Sequence, residues 1–178
     1  LRYYPLPAPD SFYSGDSARR VAINGYPTIA APDGLLRDYY AFTWGDVLFV
    51  MIDPYWHSDR RSPDSSLFTA DAEDPWDITM GDEQYAWLVH TLETSTARWK
   101  LVFAHHINGN GRGGAAAVGT TEWGGKLTDF RARRPTWQKP IHQVLVDNHV
   151  TIFFQGHDHL FAREVVDGVV YQEVPNPG

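Results

Sequence analysis

Cysteine is absent from the 178 residues. That excludes disulfides and thiolate metal sites, and it leaves His, Asp, Glu and Asn as ligands for any metal ion. The absence is compatible with export but does not establish it. Long apolar runs are also missing. No window approaches the ~20 consecutive apolar residues of a spanning helix, so no membrane partner is expected. Positive charge is scarce, with 15 Lys and Arg against 22 Asp and Glu and a formal net charge of -7. A nucleic-acid partner needs a basic face to neutralise phosphates, so none is expected. The one basic cluster, Arg131, Arg133 and Arg134, reads as a solvated face.

Aromatic residues are plentiful at 14%, among them seven Trp and nine Tyr. They suit packing, and they also build clefts and glycan-facing surfaces. Length and an apolar fraction of 43% fit one globular domain over residues 1–178. The chain opens on Leu1 in "LRYYPLPAPD" and closes on "QEVPNPG". Both read as loops in mid-course, so the expectation is a piece of a longer protein.

Hydrophobic pattern then places the elements. "DYYAFTWGDVLFVMIDPYW" carries two apolar runs hinged at Gly45-Asp46, a hairpin signal. Its second run, "VLFVMID", is apolar on both faces and is expected to be central in a sheet. Residues 57–78 read as a long polar loop. "GDEQYAWLVHTLETS" puts Tyr85, Leu88, Val89 and Leu92 on one helical face, with acidic residues in the first turn. "RWKLVFA" reads as a strand, and the glycine-rich stretch from His105 to Gly125 as a loop longer than a connection needs. "WQKPIHQVLVDNH" predicts a second helix with Pro140 in its first turn, and "VTIFFQ" a further strand. "FAREVVDGVVYQEV" is a hairpin around Asp167-Gly168. Helix and strand alternate, so the expected core is α/β with ligands gathered where strands end.

Eight histidines make either an H-H or an H-x-H pair unremarkable by chance. Their positions say more. "KLVFAHH" and "TIFFQGHDH" each follow an apolar strand, and each strand follows an amphipathic helix. Gly156 allows a sharp turn before the second pair. Two consecutive α/β units thus bring His105, His106, His157 and His159 to one edge of a sheet, within reach of a shared metal. Four imidazoles without partners at such positions would be costly. His57, His90, His142 and His149 read instead as surface or packing residues. Three neutral imidazoles on one cation would make a mononuclear hydrolytic or hydratase site with an open water position. Two cations would need anionic bridging ligands. Asp53 could contribute, although a turn role before Pro54 is the preferred reading. Asp158 reads as an orienting partner for the ligating histidines. On its own the chain is short of carboxylates for a dinuclear site.

The set "VFAHH" and "QGHDH", each closing an α/β unit, resembles the last two motifs of the calcineurin-like metallophosphoesterases, dinuclear phosphatases and phosphodiesterases that include purple acid phosphatases. "YYAFTWGDVLFVMID" resembles the hairpin after that family's GNH motif, and "GDEQYAWLVHTLETSTARWK" its Q-x-x-W-L helix. "RGG", "EWGG", "RRPTWQKPIHQVL" and "DGVVYQEVPNPG" look like a bacterial branch of the same superfamily. The resemblance implies half of a four-layer α/β/β/α sandwich of mixed sheets with a C-terminal β-hairpin. It implies that His105 and His157 serve one metal and His159 the other, and that His106, Asn108 and Arg112 border the substrate phosphate. The D-x-H, GD-x-x-D and GNH motifs are absent. By the family pattern they lie N-terminal to Leu1, with the bridging Asp and the proton-donating His among them.

The implied activity is hydrolysis of a phosphate ester with water activated by two metal ions, Fe, Mn or Zn. The substrate phosphate ester and the missing N-terminal half of the domain are the implied partners. Resemblance to exported relatives implies a periplasmic or extracellular location. Two other classes remain open at this point. One is a non-catalytic module that presents Trp56, Trp76 and Trp123 to a glycan or other ligand around a structural metal. The other is a mononuclear zinc hydrolase.

Overall fold

The computed structural model describes residues 30–31, 34–35, 39–54, 74–105, 115, 118–124, 127–157 and 159–175. A short antiparallel pair, β1 (Ala30–Ala31) and β2 (Gly34–Leu35), precedes the main sheet. That sheet has six strands in the order β3-β4-β5-β6-β8-β7. They are β3 (Tyr40–Trp44), β4 (Val47–Met51), β5 (Trp99–Phe103), β6 (Ile152–Gln155), β7 (Ala162–Val166) and β8 (Val169–Glu173). β4, β5, β6 and β8 run parallel, while the edge strands β3 and β7 fold back antiparallel through their hairpins. The fold is thus mixed α/β and ends in the expected hairpin. At its turn Asp167 (φ 48) and Gly168 (φ 88) both take left-handed backbone, which matches the twist of the flanking strands.

Helix α1 (Gly81–Thr94) begins with Asp82 and Glu83 in its first turn, where carboxylates face the positive end of the helix dipole. Tyr85, Trp87, Leu88 and Leu92 are buried along it. They join Leu48, Val50, Val102, Phe153 and Tyr171 from alternate strand positions, together with Ile141 and Leu145, in one core. Leu88 is wholly enclosed, so truncation to Ala would cost about 2–5 kcal/mol.

β4 is an interior strand, as its composition suggests, but its two faces differ. Leu48 and Val50 are buried, whereas Val47, Phe49 and Met51 are half-buried. The second face carries a row of stacked rings across four strands. Phe42 and Phe49 have centroids 4.9 Å apart, Phe49 and Phe103 6.2 Å, and Phe103 and Phe154 4.9 Å.

Several expectations need correction. Within the supposed loop after β5, Thr121–Gly124 forms a helical turn, α2, and just beyond it Leu127–Arg133 forms a helix, α3, that the pattern did not predict. Gly124 is required in α2 because a Cβ there would lie 2.1 Å from the Val118 carbonyl oxygen. The next helix, α4, covers only Ile141–Asp147. Pro140 stands before it with extended ψ of 153°, since proline has no N–H to give and closes off the helix on its N-terminal side. Residues 136–139 are held by side chains instead. The Trp137 indole donates to Asp82 at 2.6 Å, and the Tyr85 hydroxyl donates to the Lys139 carbonyl at 2.8 Å.

The basic cluster is not wholly a solvated face either. Arg134 is nearly buried and pairs with Glu122 at 3.0 Å, while Glu122 is fully enclosed and also accepts the Met80 N–H. The guanidinium lies over Trp76 and Trp137. Burial pushes the Glu122 carboxyl above its usual range, with Arg134 opposing that shift. The pair ties α2 and α3 to the start of α1. Trp123 has no exposed surface and packs edge-on against Phe153 at 5.4 Å. Trp123 therefore offers no glycan platform, while Trp76 is half-buried with the Arg134 guanidinium over its ring. Trp56 lies outside the described residues.

Candidate metal centre

The C-terminal ends of β4, β5, β6 and β8 are laced together by backbone hydrogen bonds. Ile52 N–H donates to the Phe103 carbonyl, Ala104 N–H to Phe154, Gly156 N–H to His105 and Val174 N–H to Gln155, at 2.7 to 3.0 Å. Gln84 closes the β4 end. Its side-chain amide accepts the Asp53 N–H and donates to the Asp53 carbonyl, both at 2.8 Å. A side-chain amide offers both an N–H donor and a carbonyl acceptor, as a neighbouring strand would. Pro54 ends the ladder there, and Gln84 substitutes for it. The Asp53 backbone is thus held by Gln84, and the Gln of Q-x-x-W-L has a physical reason the sequence alone did not disclose.

Because β5 and β6 are parallel neighbours with Phe103 opposite Phe154, the residues that follow them emerge side by side. His105 Nε2 lies 3.1 Å from His157 Nδ1, with the rings nearly perpendicular at 83°. Which nitrogen carries the proton depends on the tautomer. His159 is exposed, and it is close enough that its charge acts on His105. Burial, then the neighbouring His157 and His159, hold the His105 imidazolium below its ordinary value of 6.5. That favours the neutral ring, the form that offers a lone pair.

The turn itself departs from expectation. Gly156 is not the left-handed residue; His157 (φ 88) and His159 (φ 57) are. Side chains seldom adopt this region, and each instance costs on the order of 1–3 kcal/mol. The surrounding strand ends must therefore hold the two histidines in place.

Does the pair suit a metal ion? Imidazole nitrogens about 2.0–2.1 Å from one cation, at tetrahedral or octahedral angles, lie roughly 2.8–3.4 Å apart. The observed 3.1 Å falls in that range. The donor set here is all imidazole, which suits zinc and iron; manganese would call for carboxylate ligands beside it. Among the described residues no cluster of three or more His, Asp or Glu side chains forms. His106, Asn108, Arg112 and Asp158 lie outside the described residues.

Two buried polar residues beside the pair were not expected from sequence. Gln155 and Glu173 close β6 and β8 in register and are almost or wholly enclosed. Alternation would have put both on the inner face, but only the sheet order makes them neighbours. A cavity of about 510 Å³ lies elsewhere, between α1 and α4, lined by Asp82, Val89, His90, Glu93, Trp137 and Asp147 among others. It includes none of the strand-end histidines.

Six mixed strands, helices packed on one face and histidines at the parallel strand ends define a fold of the metallophosphoesterase type. A profile of the PhoD-like phosphatases matches residues 16–170. The chain belongs to the PhoD-like phosphatase family. A solved structure of PhoD is similar over 81% of this chain and 29% of that one, with a TM-score of 0.50 and 16% identity. The chain therefore spans under a third of that protein's length, and at this identity the likeness shows the fold. Purple acid phosphatase PPD1 from yellow lupin (Lupinus luteus) seeds matches over 76% of this chain and 22% of that one, at 15% identity and a TM-score of 0.43. GAP50, the anchor in the inner membrane complex of Plasmodium, matches over 91% and 45%, at 12% identity and a TM-score of 0.43. Comparison with curated proteins gave no match. Among the described residues no helix is long and apolar enough to cross a membrane.

Proposed function

We propose that this chain is the C-terminal part of a metal-dependent phosphoester hydrolase domain. The observation that carries the reading is the approach of His105 Nε2 to His157 Nδ1, 3.1 Å apart at the ends of adjoining parallel strands. Membership of the PhoD-like phosphatases supports phosphoester hydrolysis over other metal chemistry. His105 and His157 hold one ion and His159 a second, drawn from Fe, Mn and Zn. Bound ions of this kind polarise a phosphoryl group and lower the pKa of coordinated water. The chain's own part is to hold the His105 imidazole, whose proton burial disfavours, beside His157 on the strand-end edge. His106, Asn108 and Arg112 border the phosphate, where a guanidinium fork suits its oxygens.

The remaining acidic ligands belong to the rest of the same domain. The apolar face of the sheet supports this, because a ladder of Phe42, Phe49, Phe103 and Phe154 with Val47 and Met51 is the surface a second packed sheet would cover. An exported location goes with the reading. The burial of Trp123 removes one support of the alternative, a glycan-binding module.

The test is metal analysis of the full-length protein combined with turnover of aryl phosphate mono- and diesters. Two labile ions, turnover and inhibition by inorganic phosphate are expected. One ion without phosphoester turnover would point to a mononuclear zinc hydrolase, and a single inert ion or none to a binding module.

A further inference from the structure

A chain of buried polar contacts leads from the helix layer to the strand-end site. Arg134 pairs with Glu122 at 3.0 Å, and Glu122 accepts the Met80 N–H at 3.1 Å. The Gln84 amide nitrogen lies 3.5 Å from the Met80 carbonyl and donates to the Asp53 carbonyl at 2.8 Å. The Asp53 N–H returns a bond to the Gln84 oxygen, also at 2.8 Å. Met80, Gln84 and Glu122 have no exposed surface. Register carries this chain on to the histidines. Met51 pairs with Phe103 across β4 and β5, so two further steps of the same parallel register set Asp53 level with His105. The Ile52 N–H bond to the Phe103 carbonyl, 2.9 Å, shows that the strands are still together past Met51. Successive residues of a strand turn their peptide groups to opposite sides. Ile52 faces β5, so the Asp53 peptide faces away from it, and there Gln84 meets it.

Burying an amide, a carboxylate and a guanidinium costs desolvation, and a satisfied network of this kind fixes position more than it adds stability. Position matters at this edge. His105 Nε2 stands 3.1 Å from His157 Nδ1, and a misplacement of about 1 Å is enough to spoil such an arrangement. We infer that Gln84 is a positioning residue for the strand-end site. It fixes the Asp53 peptide and, through the end of β4, the level at which β5 presents His105. The inference rests on the metal-site reading above. Removing the amide would cost the Asp53 peptide both of these bonds just before Pro54, which has no N–H with which to continue a ladder. The end of β4 would then be tied to β5 at Ile52 but no longer anchored from the helix layer.

The experiment measures zinc affinity by competition with a chromogenic chelator, together with kcat and KM on an aryl phosphate, in the full-length protein. Wild type is compared with Gln84→Met, Gln84→Glu and Leu88→Ala. Methionine keeps the bulk of Gln84 and removes both bonds to Asp53, whereas glutamate keeps the acceptor for the Asp53 N–H. Leu88 lies one turn further along α1 and is equally enclosed, so its truncation reports destabilisation without the Asp53 link. Gln84→Met should bind zinc about tenfold more weakly. Its kcat should fall about tenfold with KM within about twofold of wild type. Gln84→Glu should lie between Gln84→Met and wild type on both measures. Leu88→Ala should lower the melting temperature yet keep zinc affinity and kcat per folded molecule. If Gln84→Met behaves as Leu88→Ala does, Gln84 serves the fold alone and the inference is overturned. Should Gln84→Met fail to fold, wild-type zinc affinity and kcat in Gln84→Glu overturn it equally, and both results leave the phosphatase reading standing. Wild-type protein that binds neither zinc nor manganese and hydrolyses no aryl phosphate overturns that reading as well.

Discussion

His142 and His157 are the same residue in opposite situations. His142 sits at the start of α4, nearly enclosed, with each ring nitrogen engaged. Nδ1 lies 2.7 Å from the Tyr171 hydroxyl and Nε2 3.1 Å from Asp167. It closes a local network between the helix layer and the last hairpin. His157 sits on left-handed backbone at a sheet edge, half-buried, and faces another imidazole. Two neutral imidazoles cannot both donate along one contact, so one nitrogen offers a lone pair. An ion between them could use both. On the proposed reading the contrast separates a histidine that stabilises the fold from one held out for a ligand, although both follow apolar patterns in the sequence.

The largest expected effect breaks the comparison if it fails. His157→Ala should lower kcat on an aryl phosphate in the full-length protein on the order of a thousandfold, about 4 kcal/mol in barrier. Its melting temperature without metal should change little. His142→Ala should do the reverse. Loss of the ring strands the Tyr171 hydroxyl and leaves a cavity, about 2–4 kcal/mol of stability by denaturant titration. Turnover per folded molecule should be unchanged. If His142→Ala loses turnover while folded, or His157→Ala loses only stability, the two roles have been exchanged.

Much of this contrast was legible before any coordinates. Strand-terminal placement singled out His105, His106, His157 and His159, because a parallel sheet delivers whatever follows its strands to one edge; of these the structure shows His105 and His157 together. Its helical position marked His142 only as a surface or packing residue, and the structure shows it enclosed. Other features could not be read locally. Gln84 closes the β4 end across 31 residues of sequence, and Glu122 finds Arg134 only once α2 and α3 have formed. Both helices were missed because glycines and short length hide their periodicity. Gly156 drew the turn assignment because glycine is the permissive residue. The histidines themselves take the strained backbone, a cost that local propensity cannot foresee.

Tyr171→Phe sharpens the comparison at the next level down. Burial, with the nearby Asp167 charge, raises the Tyr171 phenol well above its ordinary value of 10.0. The folded state then keeps a proton that the unfolded chain releases, so stability falls as pH rises past about 10. The phenol of Tyr85 is raised as well, again mainly by burial. Tyr171→Phe should therefore make the alkaline fall shallower without abolishing it. At pH 7 it should cost about 1–3 kcal/mol, the penalty of a buried imidazole nitrogen left without its partner. Unfolding curves at pH 7 and pH 11 measure both. An unchanged alkaline slope would show that the hydroxyl is already reached by water.

Asp167→Asn is the smallest effect and the most discriminating. The Asp167 side chain is 71% exposed, so its contact with His142 is screened and worth about 0–1 kcal/mol. Asparagine tolerates the left-handed φ of 48° that the hairpin turn imposes, so the substitution removes charge and leaves the turn intact. The variant should lie within about 1 kcal/mol of wild type in a denaturant midpoint comparison. A small value would mean that His142 is held by enclosure and by the Tyr171 hydroxyl. A loss as large as that of His142→Ala would mean that the Asp167 contact holds the ring, and its contrast with the strand-end histidines would then rest on location alone.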